Sequence, residues 1–196
     1  MLALKDFYHL PQVDSLVQQV VSGRPGLVVV AGLDPRPGAG GAVDGFLPSG
    51  RPTIFGILAR EVLAAHPDAQ ATLVSAERDA VRLPRTLKAR VRVPPLKNVP
   101  PVPEQLAGAV DRRSDIILID GLEAETVPLA LAAGQAGARV VAQLDCVFSG
   151  ASVARYLTDL GADLDSLAGL AWAVTVQRLP TLCQHCRERR SLTPCG

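Results

Sequence analysis

At 196 residues the chain has room for one domain with a genuine hydrophobic core and not for two comfortable ones. Hydrophobic residues make up 48% and charged residues 20%, with a mean hydropathy of +0.23, so part of the apolar excess is expected to face a partner. A net charge of +1 without long like-charge runs speaks against nucleic-acid binding and against attraction to an anionic membrane.

No stretch reaches the roughly 18 consecutive apolar residues that span a bilayer, and the segment Met1 to Asp14 lacks the charged-then-apolar order of a signal peptide. A cytoplasmic location is expected. The predicted elements begin with a helix over Val13 to Val21 and a strand over Leu27 to Ala31. Gly32 to Pro52 is dense in glycine and proline and reads as a long loop. A helix over Thr53 to Ala65 and a strand over Ala71 to Ser75 follow. Val91 to Pro103 is interrupted by Pro94, Pro95, Pro100, Pro101 and Pro103, leaving at most an edge strand at its start. Beyond it come a helix (Val102 to Asp111), a strand (Ile116 to Ile119), a helix (Thr126 to Ala136) and a strand (Val140 to Leu144). Two C-terminal helices are expected over Ser149 to Leu160 and Leu164 to Val176, the second placing Trp172 in the core. The strands are almost purely apolar, as parallel strands covered on both faces must be. Their alternation with helices predicts a three-layer α/β fold with a largely parallel sheet.

Read in order, these pieces resemble the C-terminal ATPase domain of the type II secretion and type IV pilus assembly ATPases, from about Leu4 to Cys186. Gly26-Leu27-Val28-Val29-Val30 is similar to the strand that leads into the family's phosphate loop. Arg155-Tyr156-Leu157-Thr158-Asp159-Leu160-Gly161, Gln177-Arg178-Leu179 and Leu182-Cys183-Gln184-His185-Cys186 resemble its later helix, its Gln-Arg-Leu signature and the first half of its tetracysteine zinc motif. The resemblance implies a RecA-like P-loop NTPase fold over residues 1–182, followed by a cysteine-containing tail at 183–196.

A phosphate loop needs glycines whose N–H groups converge at a helix start, a Lys for the outer phosphates and a Ser or Thr hydroxyl for magnesium. Gly45-Phe46-Leu47-Pro48-Ser49-Gly50-Arg51-Pro52-Thr53 keeps both glycines, Gly45 and Gly50, at the right separation. Arg51 stands where the family has Lys, and its broad planar fork suits a single-ammonium slot poorly. Pro52 stands at the hydroxyl position and lacks an N–H as well. Thr53, one position on, is the alternative hydroxyl.

The acidic positions are thinned in the same way. Asp120-Gly121-Leu122-Glu123 resembles the second nucleotide motif with Gly121 at the expected glutamate, so Asp120 is either a substitute carboxylate or an ordinary strand-end residue. Glu77 is what remains of the acidic box after the second strand. Asp145 and Ala138 stand at two positions where the family has histidine, and Ala107 and Asp111 at two where it has arginine. Loss of these groups leaves little to stabilise charge on a transferring phosphoryl, so turnover is expected to be absent or vestigial.

Cys183 and Cys186 have zinc-knuckle spacing but form only half a site. Cys195, with His185, is a candidate to complete it, and reduced thiols in a frayed tail are the other reading. Cys146 reads as a small core residue. The resemblance thus implies a catalytically degenerate subunit that contacts homologous secretion or pilus ATPases or copies of itself, peripheral to an inner-membrane machine at most. No cofactor is expected; weakly held ATP with magnesium, and zinc, remain the alternatives.

Overall fold

The computed structural model describes residues 11–34, 49–76, 83–95 and 97–177. Six strands form one all-parallel sheet in the order β3-β2-β4-β5-β1-β6. They are β1 (Gly26–Gly32), β2 (Ala71–Val74), β3 (Val91–Arg92), β4 (Ile116–Ile119), β5 (Arg139–Asp145) and β6 (Leu170–Thr175). The helices are α1 (Pro11–Ser22), α2 (Arg51–Ala65), α3 (Arg85–Lys88), α4 (Val102–Asp111), α5 (Val127–Gln135) and α6 (Ala151–Asp159). The three-layer α/β expectation holds.

Two hydrophobic layers follow from the two-residue period of the strands. Leu27, Val29, Ile117, Ile119, Val140 and Ala142 face one side, with Leu106 of α4, Leu131 of α5 and Leu157 of α6. Val28, Val30, Ile116, Leu118 and Val141 face the other, with Val20 of α1 and Phe55, Leu58 and Val62 of α2. All four residues of β4 are fully buried, which is why the run Ile-Ile-Leu-Ile shows no polar alternation. Truncating one of them to Ala costs about 2–5 kcal/mol.

The segment Leu164 to Val176 departs from the expected helix. It forms a 3-10 turn, Ser166–Gly169, and then β6, which pairs with β1 through Val28↔Trp172, Val29↔Ala173 and Val30↔Val174. The cause is tertiary: β1 is buried along its whole length, so its second edge must also find a strand. Trp172 therefore lies on the α2 side of the sheet, half-buried against that core layer. The turn closes tightly on α5, where a Cβ on Gly134 would sit 2.9 Å from the Leu27 nitrogen and 3.0 Å from the Gly169 oxygen. Ala in place of Gly134 is excluded there without backbone movement. The remaining boundaries differ modestly: α2 starts at Arg51 rather than Thr53, and the short α3 was not foreseen.

Candidate functional site at the carboxyl edge of the sheet

Parallel strands all end on one edge, and in open α/β sheets that edge is where ligands bind. On the α2 side of this edge the polar residues Ser75, Asp120, Gln143 and Asp145 succeed the apolar ones at the ends of β2, β4 and β5. They form two clusters.

The first cluster joins the ends of β1 and β5 to the start of α2. The backbone N–H of Ser49 donates to Asp34 Oδ1 at 2.6 Å and the Ser49 hydroxyl donates to the same oxygen at 2.9 Å. Arg51 Nε lies 3.6 Å from Asp34 Oδ2, and Arg51 Nη1 lies 3.2 Å from Asp145 Oδ1. Nη1 also donates to the Gly32 carbonyl at 3.0 Å. Ser49 packs directly on Gly32, where an added Cβ would meet its hydroxyl at 2.7 Å. Gly50, at φ 87°, turns the chain into α2, a left-handed conformation that glycine adopts without strain.

The backbone N–H groups of residues 51 to 53 are committed within the chain. The Arg51 N–H donates to Ser49 Oγ at 3.0 Å, Pro52 has none, and the Thr53 N–H donates to the Gly50 carbonyl at 3.0 Å. Arg51 and Thr53 are thus placed together at this helix start, with Gly50 as its cap. Gly45 lies outside the described residues.

The second cluster is built on one carboxylate. Asp120 accepts from Ser75 Oγ at 3.0 Å and from Gln143 Nε2 at 2.7 Å. Gln105 extends the edge of β2: its side-chain oxygen accepts from the Ser75 N–H at 3.2 Å and its amide donates to the Ser75 carbonyl at 3.0 Å. The Oε1 of Gln143 is buried without a hydrogen-bond partner among the described residues. At Gly121, the expected glutamate position, an added Cβ meets no atom within 4 Å. Glu123 is exposed, its N–H and carbonyl both engaged by the Thr126 hydroxyl. Glu77 lies outside the described residues.

Beside the first cluster, Cys146 is buried, and burial pushes its thiol above the usual range. The Phe148 backbone and the Arg51 charge pull it down, and the Asp145 charge raises it. This agrees with a core residue. Cys183, Cys186 and Cys195 lie outside the described residues, and within those residues no group of three or more His, Cys, Asp or Glu side chains is placed to hold a metal ion. Among the described residues, a cavity of about 360 Å³ along Arg92 to Pro95 and α4 reaches Gln105 at the edge of the second cluster, and one of about 450 Å³ lies beneath the ends of α4 and α5. No described helix is long and apolar enough to cross a membrane.

Asp34, Ser49, Gln105 and Gln143 were not singled out by the sequence as site residues. One signal was present: Gln143 and Asp145 are two apart in an apolar strand, so both must face the same side of the sheet.

Comparison with solved structures gives the fold a counterpart. The chain is similar to the ATPase DotB of Legionella pneumophila, with a TM-score of 0.52 and 19% sequence identity over 79% of this chain. The likeness is one of fold. The match spans 39% of the DotB chain, so this chain covers less than half of that protein. No protein-family model matches the sequence. No curated relative matches it either.

Proposed function

We propose that the chain is a catalytically degenerate homologue of the type II secretion and type IV pilus assembly motor ATPases, acting as a structural or regulatory subunit through protein–protein contacts. The observation that carries this reading is the state of the α2 start. Residues 51 to 53 offer no uncommitted backbone N–H, and Arg51 is engaged by two carboxylates and a carbonyl. A magnesium-bound triphosphate asks for converging free donors, a cation that reaches outward and a hydroxyl ligand for the metal. These groups fit that demand poorly. The two carboxylates and one guanidinium also leave the cluster with a formal charge of −1, which repels phosphate.

The natural partners under this reading are homologous ATPase subunits or further copies of the chain. The test is a pair of measurements: co-elution or pull-down with the cognate motor ATPase, and phosphate release from Mg-ATP. The reading expects association without turnover; turnover that Asp120→Ala abolishes would replace it with a weak ATPase. A second reading is nucleotide held without hydrolysis through backbone groups of Gly45 to Gly50. It requires a nucleotide-dependent rise in melting temperature with no phosphate released.

A further inference from the structure

We infer that the Asp34 carboxylate is an internal ligand, occupying from within the chain an oxyanion position formed by Ser49 and Arg51 at the start of α2. The inference rests on the reading of this helix start as a phosphate loop that no longer serves ATP, and it adds what fills it. Two donors and a cation surround the carboxylate: the Ser49 N–H at 2.6 Å, the Ser49 hydroxyl at 2.9 Å and the Arg51 guanidinium, whose Nε lies 3.6 Å away. One backbone N–H, one hydroxyl and one guanidinium around one anion is a set that would serve a small inorganic oxyanion equally well.

Burial separates this arrangement from a surface ion pair. The Asp34 and Arg51 side chains are 18% and 14% exposed. Asp34 Oδ2 and Arg51 Nε are both buried without a hydrogen-bond partner among the described residues, their 3.6 Å separation being too long for one. Each thus keeps capacity for a closer partner. The link also has a mechanical effect. Asp34 follows β1, Ser49 and Arg51 lead into α2, and Asp145 ends β5, so elements that an external anion would draw together are already joined.

Removing the carboxylate therefore uncovers the donors without stripping Arg51 of all its partners, because Asp145 remains at 3.2 Å. Asp34→Ala takes the formal charge of the cluster from −1 to zero, and Asp34→Ala with Asp145→Ala takes it to +1. Inorganic phosphate is the probe, titrated calorimetrically into the wild-type chain and both variants at low ionic strength, with circular dichroism to establish that each is folded. The wild type is expected to bind at least tenfold more weakly than Asp34→Ala, and the double variant more tightly still, with affinity falling as salt is added.

Folded Asp34→Ala that binds phosphate no better than wild type overturns the inference. Should Asp34→Ala not fold, Asp34→Ser serves in its place under the same criterion. ATP hydrolysis by the wild type would instead overturn the functional reading, and that assay is scored separately from the phosphate titration.

Discussion

The two polar clusters at the carboxyl edge solve the same problem by different means. Around Asp120, the described residues supply neutral donors to one carboxylate, Ser75 and Gln143, with Gln105 bracing the strand end beside them. Around Arg51, two carboxylates from separate segments share one guanidinium, with Asp145 still 33% exposed. Neutral donors cost little to bury and hold a strand end firmly, whereas partly exposed ion pairs contribute less and are sensitive to salt. The Asp120 cluster should therefore act mainly on stability, and the Arg51 cluster mainly on what the site admits.

The largest expected effect is at Asp120. Asp120→Ala leaves the Ser75 hydroxyl and the Gln143 amide without this acceptor and should cost about 2–3 kcal/mol in denaturant unfolding. An effect below that of Arg51→Ala would reverse the comparison. Arg51→Ala brings Asp34 and Asp145 face to face without their shared cation and should cost about 1–2 kcal/mol, discounted for partial exposure. Asp145→Asn, at the more exposed end, should cost under about 1 kcal/mol and be further reduced in high salt. Gly121→Glu enters open space and should change stability by no more than about 0.5 kcal/mol, without creating ATPase activity.

Cys146 reports on the charged cluster from next door. Because burial raises its pKa in the folded state, the thiol's stabilising contribution is present below the unfolded pKa and is lost as pH rises through the folded value. Its alkylation profile, read in a chain with Cys183, Cys186 and Cys195 replaced, should lie at higher pH than that of a free thiol. Arg51→Ala should move it higher still and Asp145→Ala lower, since the Arg51 charge favours the thiolate and the Asp145 charge opposes it. Movement in the opposite directions would mean that the cluster is arranged differently.

Most of the sheet was legible because a strand covered on both faces has to be apolar throughout; Ile116–Ile119 admits no other reading in this context. Leu170–Thr175 was read as helix because Leu-Ala-Trp-Ala-Val suits either element over so short a run, and the open edge of β1 decides between them. The loop chemistry was legible only by type. Arg51 and Pro52 stand out at the positions where the family resemblance would place Lys and a hydroxyl. That Asp34, 15 residues before Ser49 and 111 before Asp145, closes on Arg51 is set by tertiary structure and by no local pattern.

Thermal melting of the purified chain with and without millimolar Mg-ATP tests most directly whether this edge has given up nucleotide chemistry. Ligand at about 100 times its dissociation constant stabilises by roughly 2.7 kcal/mol, a shift easily resolved. The account predicts an unchanged melting temperature. A magnesium-dependent rise would contradict it, because the donors at the start of α2 would then be holding phosphate.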